Sequence, residues 1–249
     1  LDERSGLLVA AEGQVAQAVR LGLEMAAAGR WEEAISWYDR ALAIDRYSRE
    51  ALFSKGLALI NIIHYEDAVR SFDVILTRDP DDTEAWLHRG ICFLFMGRYS
   101  KAIPCFDQVL AKNPDEVSAL NHKAACLAEI NRHAEAIACF DRILAVRPQD
   151  ANTWFNRGSS LDALGKNEDA VRSFHRAIAL DPNDADSWFE MGNSYQKLKK
   201  HREAIRCYDK VIALEPFHVD AVSQKGKSLQ ALGRHEEADA QFKKAEDMF

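Results

Sequence analysis

The sequence predicts an all-α solenoid of about seven tandem helix-turn-helix repeats, and two observations carry that prediction. First, residues recur every thirty-four positions: alanine at Ala34, Ala68, Ala102, Ala136, Ala170, Ala204 and Ala238, and proline at Pro80, Pro114, Pro148, Pro182 and Pro216. Glycine keeps the same period at Gly22, Gly56, Gly90, Gly158, Gly192 and Gly226, with Ala124 in the one gap. Second, apolar residues inside a repeat keep a helical spacing. Trp86, Arg89, Gly90, Phe93 and Met96 form one stripe at intervals of three and four, and Ala102, Cys105, Phe106, Val109 and Leu110 form another, as two amphipathic helices require. An array of this kind grows in one direction without the size limit of a globular core, so the 249 residues are expected to form one continuous array.

Taken in order, residues 1–14 fall short of a full repeat. Leu7, Leu8 and Ala10 stand where later repeats carry Ile178 and Leu180, or Ile212 and Leu214, so the stretch reads either as the tail of a degenerate repeat or as an N-terminal leader. Full repeats follow at 15–48, 49–82, 83–116, 117–150, 151–184 and 185–218, and a seventh, 219–249, stops short. Gly29, Gly97, Gly165 and Gly233 close first helices, because glycine takes the left-handed conformation without a Cβ clash. Asn131 tolerates that place. Ile63 and Lys199 fit it poorly, and their turns are expected either to tighten in another way or to carry roughly 1 kcal/mol of strain.

The prolines end second helices, and Asp82, Asp150 and Asp184 are placed to cap the first helix that follows. Gly90 and Ala102 lack bulk in mid-helix, which lets the two backbones of a pair approach closely. Pro104, out of register, is expected three or four residues into its helix, where N–H groups lack partners in any case, and to be tolerated there. The last pair has no eighth repeat to cover it and is expected to expose Leu229, Leu232, Met248 and Phe249.

Composition narrows the function. Thirty-two basic against 39 acidic residues give a formal charge of −7, which argues against a nucleic-acid backbone as partner. No run of about 18 apolar residues is present to cross a membrane, and the acidic opening does not resemble a signal peptide. The first residue is Leu1, not methionine, from which a piece of a longer protein is expected. The five cysteines, Cys92, Cys105, Cys126, Cys139 and Cys207, include no C-x-x-C pair. Equivalent places in successive helical repeats lie about 10 Å apart, beyond the reach of a disulfide, so the cysteines read as packing residues in a reducing, cytoplasmic setting.

Catalysis has no foothold. There is no Gly-rich phosphate loop, H-E-x-x-H motif or nucleophile elbow. His88 and His122 are equivalent residues of adjacent repeats, too far apart to share a zinc ion, and read as solvated polar residues. His133, His201 and His235 share a turn position with Tyr65 and Tyr99 and read as packing. Asp81 and Asp82 lie at caps, with no loop to gather calcium ligands. No catalytic residue, metal site or cofactor is assigned, and the chain is not expected to be an enzyme.

The repeat pattern resembles the tetratricopeptide family, whose period and W-x-x-L-G-x-x-Y, A-x-x-x-F, P signature are a standard worked example. Trp188, Met191, Gly192, Tyr195, Ala204, Tyr208 and Pro216 follow it nearly letter for letter. Trp86, Gly90, Phe93, Ala102, Phe106 and Pro114 do so too, as do Trp154, Gly158, Leu161, Ala170, Phe174 and Pro182. The first repeat departs, with Ala18 for the tryptophan and Arg46 for the proline. The resemblance implies a right-handed superhelix in which first helices line a concave groove that receives peptides or partner domains. The pentatricopeptide family of RNA readers is disfavoured by the strict spacing and the acidic balance.

On the face of each first helix opposite the signature, Val19, Leu23, Ala26, Ala27, Phe53, Leu57, Ile60, Leu87, Ile91, Leu94 and Phe95 make the expected lining apolar through the first three repeats. Asn121, Glu129, Asn152, Asn156, Ser159, Asp162, Asn193, Gln196, Lys197, Lys227 and Gln230 make the later lining polar. Apolar surface of this extent usually marks a binding site; the alternative is that it is buried within the chain. The lysine, arginine and asparagine clamp by which chaperone-binding family members hold a C-terminal carboxylate is not matched, because Asp186 and Glu190 stand where cations are needed. Glu50, Glu84, Asp186 and Asp220 along the rim are expected to select against acidic ligands. The expected function is a protein-interaction scaffold for an apolar or amphipathic peptide, helix or partner domain. Two alternatives remain open: a substrate-recruiting region of a larger enzyme such as a glycosyltransferase, and self-association through the uncovered last pair. In the denatured protein without reductant, all five cysteines should titrate as free thiols; a titre of three or fewer would show that disulfides form after all.

Overall fold

The computed structural model describes the backbone of residues 3–248 and the side chains of residues 10–248. Leu7 and Leu8, as side chains, and Phe249 therefore lie outside the described residues. Among the described residues there are fourteen helices and no strand: α1 (Glu3–Ala27), α2 (Trp31–Ile44), α3 (Arg49–Asn61), α4 (Tyr65–Arg78), α5 (Thr83–Phe95), α6 (Tyr99–Lys112), α7 (Val117–Glu129), α8 (His133–Val146), α9 (Ala151–Ala163), α10 (Asn167–Leu180), α11 (Ala185–Lys197), α12 (His201–Leu214), α13 (Val219–Ala231) and α14 (His235–Glu246). Apart from α1, whose single helix also includes residues 3–14, the boundaries follow the thirty-four-residue frame. The chain forms two compact blocks, Leu1–Cys126 and Leu127–Phe249, the division falling inside α7.

In the N-terminal block α1–α2, α3–α4 and α5–α6 are helical hairpins; α2 packs on α3 and α4 on α5, and the first helices α1, α3 and α5 touch in sequence. In the C-terminal block the hairpins α9–α10, α11–α12 and α13–α14 repeat the scheme, with α9, α11 and α13 side by side. Each hairpin closes where the mid-helix glycine meets an aromatic ring of its second helix. A Cβ at Gly56, Gly90, Gly158, Gly192 or Gly226 would lie 2.6–2.7 Å from Phe72, Phe106, Phe174, Tyr208 or Phe242 respectively, and Gly22 faces Tyr38 in the same way. That is closer than carbon atoms tolerate, so at these six places the bare backbone lets the ring seat as it does; α7, outside these hairpins, has Ala124 at the equivalent place. Trp86, Trp154 and Trp188 donate their indole N–H to the carbonyls of Pro80, Pro148 and Pro182 at 2.8–3.0 Å, tying the end of one repeat to the first helix of the next.

First helices begin on a side-chain cap. Asp82 accepts from the Ala85 N–H and Asp150 from the Thr153 N–H, as the sequence predicts. Ser48, Glu116 and His218, at the same place, do likewise toward Ala51, Ala119 and Ala221. Asp184 departs from this, its carboxylate accepting from the Ser187 hydroxyl instead. Pro104 sits in the second turn of α6, further in than its expected place, because the helix starts at Tyr99. The Ser100 carbonyl thereby lacks its ordinary donor, yet the helix continues to Lys112.

Two expected faces are corrected by packing. Val19, expected in the lining, is buried with Ala18, Ala41 and Ala51, because the Ala18–Val19 edge of α1 packs against α2 and α3. Leu229, expected on the outer face of the last pair, is buried with Ile205, Ala238 and Phe242, while Leu232 is exposed and Met248 half-buried. None of the five cysteines is in a disulfide and all five are buried, and burial pushes the Cys92 and Cys207 thiols up to about 12.

Every described inter-helix turn within a hairpin uses a left-handed residue. Gly29, Gly97, Gly165 and Gly233 have φ of 67–74°, and Ile63, Asn131 and Lys199 have φ of 60–64°. The next N–H then returns to the carbonyl five residues back, as from His64 to Leu59 at 2.8 Å, the closure that ends many helices. The turns at Ile63 and Lys199 thus keep the common geometry and do not tighten in another way, so these residues carry the strain. Ile63 is 71% exposed, so its side chain contributes little burial to offset a left-handed backbone costing about 1–2 kcal/mol. Ile63→Gly should therefore raise stability by about 0.5–1 kcal/mol after the entropy of the more flexible unfolded chain is deducted, read as a higher denaturant midpoint. A lower midpoint would show that the turn is not strained.

Candidate functional site

Within each block the side-by-side first helices present a central row of equivalent residues: Leu23, Leu57 and Ile91 on α1, α3 and α5 in the first, and Ser159, Asn193 and Lys227 on α9, α11 and α13 in the second. Leu23 is 45% exposed and Leu57 and Ile91 are half-buried. A neighbouring row runs Ala26, Ile60 and Leu94 in the N-terminal block, all half-buried, and Asp162, Gln196 and Gln230 in the C-terminal block. Phe95 is 56% exposed and stacks on Tyr65 with ring centroids 5.4 Å apart. Each block thus carries a lining of one character, aliphatic in the first and polar in the second.

Part of the polar lining is engaged within the chain. Gln196 donates to the Gln224 carbonyl at 2.8 Å and to the Ser228 hydroxyl at 2.7 Å. Asp162 accepts from Ser194 at 2.9 Å and pairs with Lys197. Asn193 accepts from the Tyr208 hydroxyl at 2.9 Å and donates to Glu190 at 3.3 Å. These bonds brace one first helix against the next, or against its own second helix. Asn156 is exposed and Asn121 half-buried.

The position of Phe53, Leu87 and Asn121 has another role. Phe53 meets Phe72 and His88 edge-on at 5.8 and 5.2 Å, under the Arg49 guanidinium, and the equivalent Phe155 and Phe189 lie against Phe174 and Tyr208. This place therefore joins a first helix to its own second helix and to the following repeat, and it contributes less open lining than expected. His88 and His122, expected as solvated, are half-buried and stack on Phe72 and Phe106. Burial lowers the pKa of both imidazoles, and at His88 this outweighs the nearby Glu84 carboxylate.

Sequence reasoning missed a ladder of ion pairs. Lys55, Arg89, Lys123, Arg157 and Lys225 donate to Asp39, Asp73, Asp107, Asp141 and Asp209 at 2.5–2.7 Å, each base on a first helix and each acid on the preceding second helix. Both positions keep the thirty-four-residue period, and both lose their charge partner where Met191 and His175 replace base and acid together. That paired change was the available signal. A further tie joins Arg49 to Asp82 at 2.6 Å and to the rim acid Glu84 at 2.6 Å. Burial alone raises the Asp82 pKa, but hydrogen bonds from Arg49 and the Ala85 N–H outweigh it and hold the carboxyl below its usual range. Among the described residues no group of histidine, cysteine and acidic side chains is gathered to hold a metal ion, and no helix is long and apolar enough to cross a membrane.

Comparisons with known proteins agree with this geometry. Family models of the tetratricopeptide repeat match residues 25–49, 63–122, 93–152, 123–188, 185–218 and 219–248. Among solved structures, that of MamA protein is 25% identical with a TM-score of 0.65, covering 67% of this chain and 91% of MamA. A tetratricopeptide repeat protein from Parabacteroides merdae is 19% identical with a TM-score of 0.71, covering 95% and 93%. YrrB, a tetratricopeptide repeat protein with an unusual peptide-binding site, is 19% identical with a TM-score of 0.67, covering 74% and 95%. No curated protein is significantly similar to the chain.

The two stacked imidazoles give stability a pH dependence with a defined sign. Their folded pKa lies below the ordinary 6.5, so their contribution is fully present above that value and is lost as pH falls from there toward the folded pKa. The denaturant midpoint should therefore drop between pH 7.5 and 5.5. A His88→Ser, His122→Asn variant, using residues the chain itself carries at the equivalent Ser54 and Asn156, should flatten that drop. An unchanged slope in the variant would assign the pH dependence elsewhere.

Proposed function

The chain belongs to the tetratricopeptide repeat family, and from that premise we propose that it is a protein-interaction scaffold whose partner docks on the aliphatic first-helix row of the N-terminal block. The observation that carries this reading is the central row itself, in which Leu23, Leu57 and Ile91 stand where the C-terminal block has Ser159, Asn193 and Lys227. Aliphatic surface left partly open on a helix face is unfavourable in water unless something covers it. Asp162, Asn193, Gln196 and Lys197 of the other block are already bonded within the chain, which leaves them less free to recognise a ligand. An amphipathic helix or an extended apolar peptide, with anchors set at helical or alternate spacing, suits such a row. Glu50 and Glu84 beside it disfavour an acidic ligand, although Glu84 is partly neutralised by Arg49. YrrB supports the reading as a family member with a peptide-binding site.

A second reading, a polar site in the C-terminal block, is favoured by Asn152, Asn156, Lys227 and Gln230, which are exposed. The two readings separate in a peptide-display selection against the intact chain. Selected peptides should be rich in aliphatic and aromatic residues and poor in acids. Leu57→Ser with Ile91→Ser, a change to the residue the chain carries at Ser159, should weaken their binding by about a hundredfold, since each anchor is worth roughly 1.5–3 kcal/mol. Asn156→Ala should change it less than about threefold, as expected of one exposed hydrogen bond. Retained binding in a folded double variant, with loss in Asn156→Ala, would move the site to the polar block.

A further inference from the structure

Two hairpins, α3–α4 and α9–α10, are grooved at equivalent places, and the two grooves differ in charge. In the N-terminal block a cavity of about 420 Å³ is lined by Leu52 and Lys55 of α3 and by Asp67, Arg70, Ser71 and Val74 of α4, among others. Lys55 pairs with Asp39 and Arg70 with Asp67, as Arg157 and Arg172 do with Asp141 and Asp169 in the other groove, so the two grooves differ in charge through what stands at positions 73 and 74 against 175 and 176. In the C-terminal block a cavity of about 530 Å³ occupies the same place 102 residues on, with Trp154, Arg157, Arg172, Ser173, His175 and Arg176 around it. Arg176 stands where the first groove has Val74, and His175 stands where the ion-pair ladder elsewhere has an aspartate such as Asp73. Three guanidinium groups and an imidazole therefore meet in one groove of a chain whose net charge is −7.

The acids nearby do not use up these donors. Arg157 gives its Nε to Asp141 and an Nη1 hydrogen to Ser173 at 2.8 Å, leaving three of a guanidinium's five N–H groups. Arg172 pairs with Asp169 in its own turn. Arg172 and Arg176, four residues apart on α10, share one face. A monocarboxylate would fill one guanidinium fork, whereas a phosphoryl dianion offers terminal oxygens to several at once. The volume exceeds that of a bare phosphate and lies in the range of about 300–1,000 Å³ typical of organic-ligand pockets, with the Trp154 ring as an apolar wall for the group that bears the phosphate.

We propose that this groove on α9 and α10 binds a phosphate monoester, held by Arg172 and Arg176 with Arg157 at its floor, as a second site separate from the first-helix row. The test is calorimetric titration of the intact chain at low ionic strength with phosphoserine, inorganic phosphate and N-acetylaspartate. Phosphoserine should bind most tightly. His175→Asp with Arg176→Val, which installs the residues found at Asp73 and Val74, should weaken it by about tenfold or more while the thermal midpoint is kept. Arg176→Ala alone should act in the same direction should the double variant fail to fold. Binding of N-acetylaspartate or inorganic phosphate as tight as that of phosphoserine, absence of phosphoserine binding, or unchanged binding in the folded variants would each overturn the proposal.

Discussion

The fit of one aromatic ring over one glycine, made in six hairpins, is the contact on which the rest depends. Tyr38, Phe72, Phe106, Phe174, Tyr208 and Phe242 each lie against a mid-helix glycine so closely that a methyl group would collide with the ring. Dispersion falls steeply with separation, so a ring seated on bare backbone gains contacts that a ring held off by a Cβ forfeits. The same contact fixes how near the two helices of a hairpin come, and so which residues of the first helix remain free on its other side. The central row of Leu23, Leu57 and Ile91 is a consequence of that choice. A larger residue at Gly56 would disturb the Phe72 ring and, through it, the Phe53 and His88 cluster that joins α3 to α5.

Polar ties set the register between repeats. The ion-pair ladder runs from second helix to following first helix, with the base about three-quarters buried and the acid about half exposed. Each pair alone is worth little in such a setting. Their repetition matters more, because a shifted register would leave every half-buried base without its acid. At Met191 the base is replaced by an apolar residue that packs with Leu161, Phe174 and Cys207. The partner position is freed for His175, and the charge balance of the groove on α10 changes with it. One coupled substitution thus alters both how two repeats are joined and what a surface can bind.

The two blocks use their first-helix faces differently. Side chains of the C-terminal block bond laterally, Gln196 to Gln224 and Ser228, and Asp162 to Ser194 and Lys197, so polarity there serves cohesion. At the equivalent places the N-terminal block has Ile60, Leu94 and Phe95, which have no hydrogen bonds to offer and gain only by being covered. This is why the polar lining is the weaker candidate for a docking surface.

The sequence by itself determined the all-α class and the count of about seven repeats, because both follow from a local pattern repeated seven times. It also placed Leu57 and Ile91 on the side of the helix opposite the signature, since helical period alone decides that. The tertiary structure decided what depends on neighbours from other repeats. Val19 and Leu229 were legible as apolar, but not as covered. Phe53 and His88 belong to one cluster only because α3, α4 and α5 converge, and Asn193 is engaged only because Tyr208 reaches it. At Ile63 and Lys199 the pattern left two outcomes open, and the common turn geometry prevailed over the preference of the residue. The physical reason is the same throughout: a helix fixes the direction of a side chain, while the distance to its partner is set by how the next helix packs.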